Sequence, residues 1–427
     1  MLDINLIRER PKEIEKALQR RDPAIRLDKL LELDTKRREL LREVENLRAL
    51  RNRESDEIAK LKAEGREAQD KIEAMRKVGD QIKNLDTEAH TLEEDLNETL
   101  FALPNIPHES VPVSENKEDR PTIRQWGKKR EFDFELQNHV ELGKSLGLLD
   151  FEKATMMAGA QFPLYIGDGA WLEWALINFM LKKQVQEKGY TPVFPPHLLT
   201  EKSTFVGGVL PKFGDDLYFV NKDKLYLIPT AETALCNMHR DEVLDEKELP
   251  KKYVAYTPCY RREAGTYGAK ERGLVRTHQF NKVELFRFAA QDKSWEYLEE
   301  MTREAEEVVE ALGLHYRTTL LVTSDISQGM AKTYDVEAWL PGQRKYYEIS
   351  SASNGTDYQA RRANTRYRPK DGGKPKFVHF LNASGLATSR LMAAILENNQ
   401  QKDGSVRVPE VLQEFVDKDV ITPKNSG

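Results

Sequence analysis

Apolar residues recur at three- and four-residue spacings from Leu33 onward. Leu33, Leu40, Val44 and Leu47 form the stripe, with Arg37 and Arg51 in the same heptad register, and Ile58 and Leu61 continue it. Gly65 interrupts this pattern, and a second stripe follows through Met75, Val78, Ile82, Leu85, Ala89, Leu92 and Leu96. Almost everything between these positions is charged or polar. Such a narrow seam predicts two long helices folded back on each other as an antiparallel coiled-coil hairpin. At 1.5 Å per residue, two helices of about 35 residues make an arm roughly 50 Å long. Pro104, Pro107 and Pro112, followed by the charged run 114–121, mark a linker. The expected division is an arm domain over residues 1–110 and a second domain over 111–427.

The second domain is patterned differently. Leu172, Ala175, Leu176, Phe179 and Met180 form a helical stripe, and Gly189 is placed to close that helix. Short β-branched and aromatic runs at 190–194, 253–260, 279–288, 345–351 and 377–381 predict strands. A loop carrying Gly265, Gly268 and Gly273 joins the second to the third. Residues 385–390 are expected to open a helix. Strands in hairpin-like succession, without regular strand–helix alternation, predict an α+β fold with an antiparallel sheet flanked by helices. Neither GxGxxG nor GxxxxGK[ST] occurs, so those phosphate-binding motifs carry no argument here.

Composition narrows the classes. The net charge is −5, so a nucleic-acid partner must be met by local patches. Cys236 and Cys259 are the only cysteines, with no metal-ligand spacing. No apolar run approaches the roughly 20 residues of a spanning helix, and the charged N-terminus resembles no targeting peptide. A cytoplasmic protein with no membrane partner is expected. On the arm, cations gather in the outer half: Arg48, Arg51, Arg53, Lys60, Lys62, Arg66, Lys71, Arg76 and Lys77. Residues 86–98 carry acids and neither Lys nor Arg. A cation-rich tip suits an RNA backbone. An oligomerisation zipper is the commoner use of such a hairpin, and a solvated face with i, i+4 pairs accounts for much of the charge.

Several short segments carry chemistry. Tyr260-Arg261-Arg262-Glu263 ends a strand, and Arg272-Gly273-Leu274-Val275-Arg276-Thr277-His278-Gln279-Phe280 follows it. Gly385-Leu386-Ala387-Thr388-Ser389-Arg390 lies near the C-terminus, while Thr230-Ala231-Glu232 and Glu348-Ile349-Ser350-Ser351 stand apart in the chain. Residues 172–196 end in paired prolines. Together these resemble the three motifs and the amino-acid-specific segments of the bacterial-type seryl-tRNA synthetases, which are class II aminoacyl-tRNA synthetases. The resemblance runs from the hairpin to Pro409. It implies activation of L-serine with ATP and Mg2+ to seryl-adenylate. Transfer to the terminal adenosine of tRNA(Ser) follows, and to tRNA(Sec) where one exists. It also implies a homodimer built on residues 172–196. A carrier-protein ligase would share the catalytic domain but lack the arm; a scaffold with a dead catalytic domain would lack the arginines and carboxylates.

By that resemblance Arg261, Arg390 and Glu348 are the catalytic candidates. ATP is expected at Arg261, Arg262, Glu263, Arg276, Thr277, Phe280, Glu348, Ile349, Ser350, Ser351 and Arg390. Adenine would stack on Phe280 with Arg390 as its lid. Serine is expected at Thr230, Ala231, Glu232, Glu284 and Ser384, with Glu232 facing the ammonium. Magnesium would take Glu348 and Ser351. Strand alternation places Glu348 and Ser350 on one face and Ser351 on the other. Without the resemblance, Thr230 and Ser384 read equally well as helix N-caps, Glu284 as a paired strand residue, and Glu348 as an exposed one. The tRNA is expected at Arg51, Lys60 and Arg66.

Overall fold

The heptad seam closes as a hairpin. In the computed structural model, which describes residues 1–264 and 273–423, helix α1 (Asp28–Ala63) turns at Gly65, φ +70°, into helix α2 (Gln69–Ala102). Gly265, Gly268 and Arg272 of the glycine-bearing loop lie outside the described residues. Val44, Ile82, Ala89, Leu96 and Leu100 are buried along the seam. Asp34 is also buried there, 1% exposed, and takes a two-pronged bond from Arg8: Nε at 2.5 Å and Nη2 at 2.8 Å. The paired guanidinium offsets the desolvation of that carboxylate. Lateral ion pairs cross the hairpin from Arg37 to Glu93, from Arg48 to Asp86, and from Lys71 to Glu54 and Glu57. Arg48 and Lys71 thus spend their charge inside the hairpin. Residues 2–104 form one compact unit.

The other unit, residues 105–427, is α+β. Its main sheet has strands β1 (Thr122–Trp126), β2 (Thr191–Val193), β3 (Lys251–Tyr260), β4 (Gln279–Ala289), β5 (Tyr316–Leu320), β6 (Lys332–Leu340), β7 (Lys345–Asn354) and β8 (His379–Ala387). They lie in the order β1-β5-β6-β7-β8-β4-β3-β2, all antiparallel except the β2–β3 edge. Helices α3 (Asp168–Lys188), α4 (Ser294–Ala311) and α5 (Thr388–Asn399) contribute Leu176, Met180, Met301 and Ile395 to a core shared with Leu285 and Ile349 of the sheet. Gly189, φ +71°, caps α3 as its place in the sequence demands. Arg287 is fully buried between sheet and helix: it donates to the Tyr190 hydroxyl at 2.8 Å, to Glu300 at 2.7 Å and to Glu304 at 2.6 Å.

Two local expectations fail, both through β-bulges. Residues 385–387 do not open a helix. Strand β8 runs on to Ala387, since its backbone pairs with β4 on either side of an extra residue at Gly385, and α5 begins at Thr388. Ser384 is therefore a strand residue opposite Glu284, and its N-cap reading is wrong. The second bulge is in β7. Ser351 pairs with Asp335, Ser350 with Val336 and Glu348 with Glu337, which leaves Ile349 as the extra residue. Paired residues share a face, and so do Asp335 and Glu337, two apart on β6. Glu348 and Ser351 therefore share one face and Ser350 takes the other, the reverse of simple alternation.

Candidate active site

Strand β4 presents Phe280, Lys282 and Glu284 on one face, two residues apart. Across the ladder, Ser384 sits opposite Glu284 and Ala387 opposite Lys282. A cleft of about 250 Å³ opens over this face, lined by Arg261, Glu263, Arg276, Thr277, Phe280, Lys282, Glu348, Ile349, Ser384 and Arg390. The sheet thus gathers residues that lie up to 129 positions apart, from Arg261 to Arg390.

Its cations are held in defined places. Arg261 follows β3 directly. Its backbone N–H donates to His278 O at 2.9 Å, and the His278 Nδ1 lies 3.0 Å from Arg261 O. This double link fixes the strand end. Its guanidinium donates to Pro229 O at 3.3 Å and lies 5.1 Å from the Phe280 ring centroid. The arginine over Phe280 is therefore Arg261. Arg390, expected as the lid over the adenine, lines the same cleft as Phe280 and donates to Val275 O at 3.0 Å and Glu348 O at 2.7 Å. Arg276 is paired with Glu263 at 2.6 Å. Arg262 is not brought in: its side chain is exposed and outside the cleft lining, and its backbone N–H donates to Asp216 O.

A compact acidic pocket adjoins the cleft. Thr230 donates to Glu284 at 3.1 Å and accepts from the backbone of Glu232 at 3.2 Å. The N-cap of the helix Glu232–Leu235 is Ala231, so the cap reading of Thr230 fails while its hydroxyl sits in the pocket. Lys282 forms an ion pair with Glu284, its neighbour on the same strand face. Glu232 accepts from Gln359 at 2.7 Å and from Asn382 at 3.1 Å, and Asn382 reaches Glu284 at 3.4 Å. Burial, then the charge of Glu284, push the Glu232 carboxyl up to about 7. Ala231 is buried and supplies only backbone. Lys282, Gln359 and Asn382 were missed from sequence. Lys282 and Asn382 had a usable signal, since each lies two residues from an assigned residue on the same strand. Gln359, on the separate helix Tyr358–Ala363, had none.

On the far wall, Asp335, Glu348 and Ser351 share a face. Asp335 bonds Ser351, and burial followed by the Glu348 charge holds its carboxyl well above the usual range. Its Oδ1 is buried without a partner. Two repelling carboxylates, a hydroxyl and an orphaned acid oxygen make a donor set suited to a hard divalent cation shared with phosphates. Ser350 does not join them; it is buried and donates to Ser384 O at 2.5 Å.

Residues 218–399 match the family model of the tRNA synthetase class II core domain (G, H, P, S and T). Residues 1–107 match that of the seryl-tRNA synthetase N-terminal domain. The serine–tRNA ligase of Thermoanaerobacter pseudethanolicus is 51% identical over 421 residues, 99% of this chain and 100% of that one. The corresponding ligase of Prosthecochloris aestuarii is 49% identical over 420 residues, 97% of each chain. The chain belongs to the seryl-tRNA synthetase family. Its activity is ATP-dependent ligation of serine to tRNA. Among solved structures, the seryl-tRNA synthetase from Pyrococcus horikoshii complexed with ATP superposes with a TM-score of 0.92 at 39% identity, covering all of both chains. The cytoplasmic serine–tRNA ligase from Naegleria fowleri in complex with AMP gives 0.87 at 30% identity, covering 100% of this chain and 99% of that one. Within this seryl-tRNA synthetase fold the arginine-lined cleft and the cavity containing Glu232 share Arg261 and Glu263.

Proposed function

We propose that serine activation proceeds across that junction. Glu232 takes the ammonium of L-serine, with Thr230 and Ala231 shaping the turn that carries it. Glu284 and Ser384 bond the serine hydroxyl, which sets serine above alanine because these buried partners would otherwise go unpaired. The amino-acid carboxylate then lies beside Arg261, where it attacks the α-phosphorus of ATP. Arg261 stabilises the charge that grows on the phosphoryl oxygens, and Arg276 and Arg390 neutralise the departing pyrophosphate. Phe280 stacks the adenine, while Glu263 and Thr277 bond its edge. Glu348 and Ser351 would hold Mg2+, which supplies further charge neutralisation at the phosphates when bound. Arg262 and Ser350 have no place in this scheme through their side chains.

The observation that carries the reading is the position of Arg261, which lines both the phosphate cleft and the cavity containing Glu232. Serine-dependent exchange of pyrophosphate into ATP tests it. Exchange with serine is expected, and faster exchange with glycine or alanine would refute the pocket assignment.

The same proposal extends to assembly and partners. Trp171 and Trp174 of α3 are 61% and 53% exposed, Phe194 is 77% exposed, and Met156 and Met157 more than 70%. Large exposed apolar side chains, with Trp171 and Trp174 lining one surface hollow, favour a second copy of the chain as their cover, a homodimer. Sedimentation would show the dimer, and Trp174→Glu should dissociate it. Residues 1–110 act as the arm and 111–427 as the catalytic domain. The proposed setting is cytoplasmic. Among the described residues no helix is long and apolar enough to cross a membrane. The arm meets tRNA(Ser), and tRNA(Sec) where a cell makes one. Arg51 and Lys60 support this, because both are exposed and neither enters an ion pair among the described residues. Arg66 is exposed too, but shares its charge with Glu64 at 3.3 Å.

A further inference from the structure

His139 opens the helix His139–Ser145 and is buried, and its ring touches a segment 135 residues further along the chain. Its Nε2 accepts the backbone N–H of Leu274 at 3.1 Å. A backbone N–H can only donate, so Nε2 carries no proton and the ring proton sits on Nδ1. Nδ1 lies 2.9 Å from Oε1 of Glu397 and donates to it. The backbone N–H of His139 donates to the same oxygen at 3.0 Å, and the Gln343 amide at 3.4 Å. The other oxygen of Glu397 accepts from the Gly342 N–H at 2.9 Å. Glu397 is fully buried, so these bonds fix one tautomer and one orientation of the ring. Gly273, φ +78°, passes so close that a Cβ there would stand 2.4 Å from Nε2. Both its dihedral and its approach to the ring require glycine.

The segment that His139 holds leads directly into the cleft. Leu274 and Val275 are buried, and Arg276 and Thr277 line the nucleotide side. Helix α5 grips this segment from both of its own ends. In its first turn Arg390 Nε donates to Val275 O at 3.0 Å. In its last turn Glu397 reaches the Leu274 N–H through the His139 ring. A buried N–H must be paired, and here a side chain from a distant helix pairs it instead of a neighbouring strand. The clamp therefore sets Arg276 relative to Arg390, and the imidazole is half of it. We infer that His139 is a positioning residue for the ATP half of the reaction. It holds the limb 273–276 against α5, which aims Arg276 at the departing pyrophosphate, and it touches no substrate itself. A core histidine that only stabilises the fold is the competing account. The inference rests on the phosphate roles of Arg276 and Arg390 proposed above.

His139→Asn and His139→Gln divide the two bonds. Asn reaches only as far as Nδ1, so it keeps the bond to Glu397 and leaves the Leu274 N–H unpaired. Gln reaches as far as Nε2 and can turn its carbonyl oxygen to Leu274. The readout is serine-dependent pyrophosphate exchange, with rates normalised to active sites counted from the burst of seryl-adenylate. A misplaced charge in the Asn variant should lower kcat/KM for ATP about tenfold or more while KM for serine stays within about twofold. The Gln variant should recover most of the ATP loss. A histidine that only stabilises the fold would lower the melting temperature and the count of active sites in both variants and leave the normalised constants unmoved. That result would overturn the inference, and so would equal losses toward ATP and serine. If the Asn variant does not fold, heteronuclear NMR of the parent imidazole decides. A protonated Nδ1 and a bare Nε2 are expected; a proton on Nε2 would overturn the inference, because the clamp on Leu274 could not then exist. Parental exchange by Arg276→Ala would instead refute the phosphate role on which the inference rests.

Discussion

Asn382 donates through Nδ2 to Oε2 of Glu232 at 3.1 Å, which binds the acid on the helix Glu232–Leu235 to the centre of strand β8. This bond holds a carboxyl that burial and Glu284 have already moved up to about 7. Two pH effects of opposite sense follow. Only the ionised form can meet the serine ammonium, so kcat/KM for serine in exchange should fall about tenfold per pH unit below 7. Stability runs the other way. The folded chain keeps a proton that the unfolded chain loses above 4.5, so this residue's contribution weakens as pH rises from 4.5 to 7 and is fully lost above 7. At about 1.4 kcal/mol per pKa unit, the cost is on the order of 3 kcal/mol. Glu232→Gln should therefore unfold at a higher temperature than the parent at pH 8, with a smaller difference at pH 5, while activating serine poorly. Equal melting temperatures at pH 8 would contradict this account of the carboxyl.

Much of this was legible in the sequence because its signal is local. The heptad stripes placed α1 and α2, and Gly65 and Gly189 marked a turn and a helix end. Most of the site was legible only through resemblance: no spacing rule brings Glu232, Glu284 and Ser384 together. What failed failed through pairing. A bulge adds one residue to a strand and reverses the faces beyond it, and only the partner strand reveals it. Hence Ser350 and Ser351 were placed on the wrong faces, and β8 was ended six residues early. Gln359 reaches Glu232 from a helix with no motif, and Arg261 lies 5.1 Å from the Phe280 centroid. Both depend on tertiary packing alone.

The phosphate cations should be separable from folding. Arg261→Ala and Arg390→Ala are each expected to slow pyrophosphate exchange about a hundredfold, corresponding to roughly 3 kcal/mol of lost charge stabilisation. Both should keep parental melting temperatures to within a few degrees, because the Arg390 side chain is 32% exposed and Arg261 is only part-buried at the cleft. Exchange at the parental rate in either variant would remove that arginine from the scheme.

The bulge at Ile349 gives a sharper test of the magnesium site. Glu348→Gln and Ser351→Ala should each raise the Mg2+ concentration needed for half-maximal exchange, by about tenfold or more for the lost carboxylate. Ser350→Ala should leave that requirement unmoved, since its hydroxyl is committed to Ser384 O. A Mg2+ titration in which Ser350→Ala shifts and Ser351→Ala does not would put the donor on the other face.

Arg287 carries stability and no chemistry. Replacing it with Met strands Glu304, whose side chain is 8% exposed, beside the Tyr190 hydroxyl. Removing one partner of a buried pair costs about 3–5 kcal/mol. The denaturation midpoint of Arg287→Met should drop accordingly, with an unchanged slope. A double replacement, Arg287→Met with Glu304→Leu, should recover much of the loss, because no buried charge is then left unpaired. A double variant less stable than the single one would show that the ion pair itself stabilises the fold.

The hairpin should be dispensable for activation and necessary for transfer. Joining the chain from Leu27 to Leu100 by a short linker removes the seam without touching the sheet or its core, so serine-dependent exchange should persist. An RNA helix is met mainly through its backbone, and a rigid arm supplies cations at a distance. Aminoacylation of tRNA should therefore collapse. Point changes should divide by ion pairing. Neutralising Arg51, Lys60 and Arg66 together should weaken tRNA binding and flatten its salt dependence without moving the melting temperature. Neutralising Arg48 and Lys71 should instead loosen the hairpin, because each already bridges the two helices. Filter binding across a salt series reads the first effect, and helix melting by circular dichroism the second. Parental aminoacylation by the arm-deleted chain would leave the hairpin as a device for assembly alone.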